Sequence, residues 1–213
     1  EASLNRLIAA YTRGSRDPDL LAALGCNELE LGRTERARKF LETAVRENTT
    51  RTQAYLELAK LRVYEINAKL AKEGRPATQD EIASMQAPLY AALKQPGAGA
   101  AFYSVLARTW LISPTAPTKE QYGQLLLAAQ THYRDLGLVY YVAELGVKLG
   151  YFDMSRQLAN FGVSNAVDAK SKARFEALLQ RYPTKQAACL PILWLAQEEW
   201  GWISREAVDT IAS

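Results

Sequence analysis

The sequence predicts an all-α protein, a superhelical stack of helix-turn-helix repeats followed by a small three-helix bundle. Three observations predict it. Apolar residues recur at three- and four-residue spacing along nearly the whole chain, which is the period of an amphipathic helix and not of a strand. The breaks between these stretches carry Gly, Pro or Asp, residues that stop helices or start them. A unit of helix, glycine break and second helix, clearest over residues 18–51, recurs with the same order of large and small residues.

Composition narrows the function. Of 213 residues, 48% are hydrophobic and 23% charged, the balance of a globular chain with a sizeable core. A net charge of +3, from 26 basic and 23 acidic residues interleaved along the chain, gives no basic stripe for nucleic acid. The longest apolar runs, such as "GLVYYVAELGV", are interrupted by Glu144 and are too short to span a membrane. Cys26 and Cys189 both sit in apolar helical patterns, where a reduced thiol is expected and no disulfide framework is implied. The chain starts at Glu1 with neither an initiator Met nor a signal-peptide pattern, as expected of a processed fragment.

The elements follow in order. "SLNRLIAAYTRG" reads as the second helix of a hairpin whose partner is missing. In the first full unit, Leu21, Leu24, Gly25 and Glu28 lie on one helix, Gly32 breaks it, and Ala37, Leu41 and Ala44 lie on the next. This resembles the tetratricopeptide repeat, a 34-residue helical hairpin with small residues at its eighth, twentieth and twenty-seventh positions. Gly25, Ala37 and Ala44 stand at those places, and small side chains are needed there because two helices joined by a short turn approach closely. Thr49 stands where the family usually has Pro. The charged second helix carries Glu35–Lys39 and Glu42–Arg46 at four-residue spacing, which supports a surface helix by a few tenths of a kcal/mol per pair.

The second unit (residues 52–99) has Tyr55, Leu58 and Ala59 in the large-large-small places and a first helix running on through "RVYEINAKLAKEG". Thr78 and Glu81 after Pro76 signal the start of its second helix. A third (100–135) places Tyr103, Leu106, Ala107 and Trp110 before a Pro-rich turn, and "GAGAAF" starts it; that stretch is no dinucleotide fingerprint, since the third Gly and a preceding strand are missing. A fourth (136–163) has Val139, Val142 and Ala143, then Gly150, then "FDMSRQLANFG". The array thus spans residues 1–163.

In stacked hairpins of this kind the first helices line a concave face suited to a peptide or protein ligand. The alignment puts Asp19, Ala22, Cys26, Leu56, Lys60, Tyr64, Arg108, Tyr140 and Glu144 on that face among others. Lys60, Tyr64, Arg108, Tyr140 and Glu144 are the candidate binding residues, and Lys60, Arg108 and Glu144 stand out because an ionic group on an inner face costs desolvation unless it is wet or partnered. Some members of the family hold a peptide's terminal carboxylate with a Lys/Asn/Arg clamp. Ala22, Cys26, Leu56 and Lys60 stand at matching places here, and Lys60 alone has the chemistry, so the resemblance does not extend to an intact clamp.

Ser164-Asn165-Ala166 matches the tripeptide left when a purification tag is removed, and it stands where the repeat pattern gives way; residues 164–166 are read as a tag scar or fusion seam. Residues 167–213 read as the three-helix bundle: "AKSKARFEALLQRY", "KQAACLPILWLAQEEW" and "SREAVDTIA", with Pro191 marking a kink or first turn. The run "RYPTKQAACLPILWLAQEEWGWISREAVDTIA" resembles the N-terminal helical segment of the 24 kDa (E) subunit of NADH:quinone oxidoreductase. The RYP turn, the Leu-Pro pair, Leu-Ala-Gln-Glu, Gly-Trp and the Glu-Ala helix carry the resemblance. It implies a cytoplasmic redox subunit and a bundle that docks on a flavin-bearing partner, with Trp200 and Trp202 as candidate docking residues and Trp194 in the core. In that family a following domain holds a [2Fe–2S] cluster on four cysteines. The chain is expected to stop before that domain, and Cys189 has no further ligand nearby, so no cofactor is expected.

No catalytic constellation is legible. There is no G-x-S-x-G, the single His132 has no partner for a zinc motif, and carboxylate pairs such as Glu28 with Glu30 point in different directions on a helix. The expectation is a non-enzymatic scaffold.

Overall fold

A computed structural model describes residues 2–181. Among these the chain is all-α, with ten helices: α1 (Ala2–Thr12), α2 (Pro18–Glu30), α3 (Thr34–Arg46), α4 (Thr52–Glu73), α5 (Gln79–Leu93), α6 (Ala100–Ile112), α7 (Lys119–Thr131), α8 (Leu136–Lys148), α9 (Phe152–Asn165) and α10 (Ala169–Gln180). No helix among them is long and apolar enough to cross a membrane.

Their boundaries follow from local chemistry. Asp17 caps α2 by accepting from the N–H groups of Asp19 and Leu20 at 2.9 and 3.0 Å, with Pro18 at the first helical position where its missing N–H costs nothing. Thr78 and Glu81 form the expected reciprocal capping box on α5, and Thr118 and Gln121 form another on α7. Asp135 and Asp168 cap α8 and α10. Gly74 ends the long α4 in the left-handed region (φ 62°), which a residue with a Cβ adopts at a cost.

Pro88 lies inside α5, where it removes the N–H that would bond the carbonyl of Ser84. Arg62 of α4 makes up the loss, its Nη1 donating to Ser84 O at 2.8 Å. The helix therefore tolerates the proline because a neighbouring helix answers the orphaned carbonyl.

The hairpins pack where side chains are small. α2 lies on α3 with Gly25 against Leu41 and the Ala37 carbonyl; a Cβ at Gly25 would stand 2.7 Å from Leu41 Cδ2. α8 lies on α9 with Gly146 against Ser155 and Tyr122, and α9 lies on α10 with Gly162 against the Phe175 ring. The first helices of successive hairpins also pack on one another, α2 on α4, α4 on α6, α6 on α8 and α8 on α10, whereas no pair of second helices packs to a comparable extent. α6 packs more extensively on α8 than on α7, its own hairpin partner, from which the Pro-containing segment between Ile112 and Lys119 separates it.

Two apolar clusters share α4. The smaller holds Leu21, Ala22, Leu41, Ala44, Ala54 and Leu58; the larger runs from Tyr55 and Leu56 through Leu89, Trp110, Leu125 and Val142 to Phe175 and Leu178. Polar links cross the same boundary. Asp19 accepts from Thr49 Oγ1 at 2.5 Å, Thr50 N at 2.8 Å and Thr50 Oγ1 at 2.6 Å, and these hydroxyls hold its carboxyl below the ordinary carboxylate range. Tyr55 Oη donates to Thr49 O at 3.1 Å and accepts from Gln95 Nε2 at 2.9 Å. Thr49, at the place expected for Pro, thereby ties α2, α4 and the end of α5 together.

Several expectations are corrected. Glu35 pairs with Arg38 at 2.8 Å, not with Lys39, and Glu42 pairs with Arg62 at 3.9 Å, not with Arg46; Arg38 also reaches Glu65 at 2.8 Å. Arg38 and Arg62 bridge α3 to α4, while Glu35, Arg36, Lys39, Glu42 and Arg46 stay exposed, as expected of a surface helix. Asp19, Ala22 and Leu56 are not free inner-face groups, since the first is bonded to Thr49 and Thr50 and the other two are buried. Separately from these corrections, Ser164 and Asn165 lie in the last turn of α9, donating to the carbonyls of Asn160 and Phe161, and α10 packs against α8 and α9.

Candidate functional site

The first helices of the hairpins, α2, α4, α6 and α8, together with α10, carry the sequence-predicted residues in two groups. On α4, Lys60 Nζ is 2.9 Å from Glu57 Oε1, which also accepts from Gln53 Nε2 at 2.6 Å. Lys60 is thus already neutralised by its own helix. Tyr64, one turn on, is 73% exposed and touches little, so its ring is available. Cys26 faces the same stretch from α2; burial first, then Glu57 and Glu30, push its thiol up, so it stays protonated and unreactive near neutral pH.

The second group is denser. Arg108 of α6 lies over the ring of Tyr141 at 5.5 Å from its centroid. Arg174 of α10 lies over Tyr140 at 4.1 Å and over Tyr141 at 5.7 Å. Tyr140 meets Tyr141 and Phe175 edge to face, at 5.7 and 5.5 Å. Glu144, one turn below Tyr140, accepts from Arg181 Nη1 at 3.0 Å. Burial, and then Glu144, raise the Tyr140 phenol, keeping it neutral. Lys148, on the next turn of α8, donates to the carbonyls of Trp110, Leu111 and Ser113 at 3.0–3.3 Å, and so caps the C-terminal end of α6 with a positive charge.

Arg108, Tyr140 and Glu144 therefore stand together, while Lys60 and Tyr64 stand apart on α4. Tyr141, Arg174 and Arg181 were not anticipated. A tyrosine pair followed by Glu144 hints at a polar helix face, but nothing local says that α10 folds back to bring its arginines there. Trp200 and Trp202, the candidate docking pair, and Trp194, Cys189 and Pro191 lie outside the described residues.

A depression of about 370 Å³ opens elsewhere, between the ends of α5, α6 and α7. Leu93, Tyr103, Leu127 and His132 line it, and it adjoins one of about 430 Å³ that shares Thr131 and His132. His132 follows the last turn of α7 and faces the Tyr103 ring at 6.4 Å. Leu127 is 64% exposed at its edge.

The geometry defines a class, an all-α array of packed hairpins whose first helices present stacked guanidinium and phenol groups. The comparison with known families adds one finding. The model of the thioredoxin-like [2Fe-2S] ferredoxin family matches residues 175–213, and so begins inside α10 at the buried Phe175. No curated protein and no solved structure matches the chain. The matched residues contain one cysteine, Cys189, and the other, Cys26, is half-buried on α2. A [2Fe-2S] cluster takes four thiolates, or two with two histidines, and this donor set does not fit one.

Proposed function

We propose that the chain is a non-enzymatic interaction scaffold built of tetratricopeptide-like hairpins, binding a peptide or protein segment along α2, α4, α6 and α8. One observation carries the reading: the first helices pack on one another more extensively than the second helices do, as expected if the first-helix side is the short, inner side of a stack. A bent row of helices presents a recess in which side chains from successive hairpins are aligned. The groups there suit recognition, with an exposed Tyr64, stacked arginines and tyrosines, and carboxylates already bonded to cations. Panning a random-peptide phage library on the intact protein tests it. Enriched peptides should lose binding to a Tyr64→Ala/Tyr140→Ala variant and keep it on a Leu127→Ala variant; the opposite pattern would move the ligand to the α5–α7 depression.

A second reading is favoured by the match over residues 175–213. In it the chain belongs to an NADH:quinone oxidoreductase-type assembly, its tail docking on a flavin-bearing subunit through Trp200 and Trp202. Co-elution with such a subunit in size-exclusion chromatography, abolished by Trp200→Ala/Trp202→Ala, is the expected outcome. Elution as separate species would end this reading and leave the first one standing.

A further inference from the structure

α5 and α7 are the second helices of successive hairpins and pack little on one another. Among the described residues one side-chain hydrogen bond joins them, Gln121 Nε2 donating to Tyr90 Oη at 3.4 Å. One turn further along each helix, Leu93 and Gln124 border the depression of about 370 Å³, which Tyr103 of α6 also lines. Pockets that hold small molecules run to about 300–1,000 Å³, so the space is sufficient for one.

The lining narrows what fits. Leu93, Leu127 and the buried Ala128 make much of it apolar. The rings of Tyr103 and His132 stand 6.4 Å apart with only 32° between their planes, and a flat ring laid against either gains an offset-stacked contact. Among the described residues no Asp, Glu, Lys or Arg lines this depression, so a charged group placed there loses hydration and finds no counter-ion. The adjoining depression, which shares Thr131 and His132, carries Arg134 and Asp135, one charge of each sign, and so adds no net charge. The Gln124 amide and the His132 imidazole make no hydrogen bond to other described residues, which leaves both able to bond a polar substituent.

We infer that the depression between α5, α6 and α7 is a binding site for a small, uncharged, planar aromatic molecule that carries a hydrogen-bonding group. The ring lies against Tyr103 and Leu127, and Gln124 or His132 bonds the substituent. The site is bounded mainly by second helices, so it stands or falls separately from the scaffold reading.

The test titrates the full chain with three compounds that share one ring system, indoleacetamide, indoleacetate and tryptamine, which are neutral, anionic and cationic. Cyclohexylacetamide, which keeps the amide and lacks the aromatic ring, and N-acetyltryptophanamide complete the set. In amide-resolved NMR, indoleacetamide should shift Tyr103, Leu127, Thr131 and His132 saturably with a Kd of about 1 mM or tighter, and the other four compounds should bind at least about fivefold more weakly. Leu127→Asp puts a carboxylate at the rim and should weaken indoleacetamide at least about fivefold while leaving the melting temperature unchanged, because the side chain is exposed. Shifts confined to other helices, equal binding of the cyclohexyl compound, tighter binding of a charged congener or full affinity in Leu127→Asp each overturn the inference. Tighter binding of N-acetyltryptophanamide also overturns it and assigns the depression to an aromatic side chain of a protein partner.

Discussion

Gly162 lies so close under the Phe175 ring that a Cβ on it would overlap the ring edge, and this is the tightest glycine contact between α9 and α10. Gly162→Ala is expected to cost about 1–3 kcal/mol by overpacking, partly offset by up to about 1 kcal/mol from the better helix propensity of alanine. In a Phe175→Ala background the same change should turn neutral or stabilising, because the obstacle is gone. Urea unfolding of the two single variants and the double variant checks this; equal losses in both backgrounds would mean that the close approach is not what matters. The small residues at Gly25, Ala37 and Ala44 were legible in the sequence because spacing alone marks them. The role of Gly162 was not, since its partner lies across an interhelical turn. Arg174 and Tyr141 escaped for the same reason, as cation–π contacts join residues with no periodic relation.

Among the elements, α5 shows how a helix start becomes pH-sensitive. Glu81 closes the capping box with Thr78 and accepts from Arg75 Nη1 and Nη2 at 2.8 and 2.7 Å and from Lys69 Nζ at 3.2 Å. Arg75 first, then the Thr78 backbone N–H, hold its carboxyl well below the ordinary value of 4.5. A carboxyl depressed in the folded state stabilises fully above its unfolded value, and that contribution disappears as pH falls through the folded value. Melting temperature should therefore drop on acidification below 4.5, and less steeply in Glu81→Gln, as differential scanning fluorimetry between pH 7 and pH 2 would show. Identical slopes would assign the acid sensitivity to other carboxylates, Asp19 first among them. Thr78→Ala removes the other half of the box and should cost about 1 kcal/mol at neutral pH. This helix start was readable because a capping box is a local pattern. The survival of Pro88 in the same helix was not, because it depends on Arg62 from α4.

At the scale of the whole molecule, α4 couples the two apolar clusters. Leu58 enters the smaller, Tyr55 and Leu56 enter the larger, and the Tyr55 hydroxyl bonds across to Thr49 and Gln95. Stacked hairpins are stabilised mainly by their neighbours, so damage at a shared helix propagates both ways. Leu58→Ala is expected to cost about 2–5 kcal/mol and to speed amide exchange in α2 and α3 as well as α4. Leu138→Ala, in the larger cluster, should leave exchange in α2 and α3 unchanged. Hydrogen-exchange mass spectrometry separates these outcomes, and a uniform rise in both variants would show one fully cooperative unit.

The sequence by itself determined the helical class, the order of the hairpins and the small residues at their crossings. Those depend on short-range periodicity, on caps and on the excluded volume of single side chains. It also carried the tail resemblance, since motif spacing survives without coordinates. Only the tertiary structure decided which charges are spent and which are free. Lys60 is consumed by Glu57, Asp19 by Thr49 and Thr50, and Arg38 by Glu35 and Glu65, whereas Arg108 and Arg174 each lie over the Tyr141 ring with no ion pair among the described residues. Ion pairing falls off within a few ångströms, and which groups come that close is settled by helix-on-helix packing, which brings α10 to α8 and which no local pattern specifies.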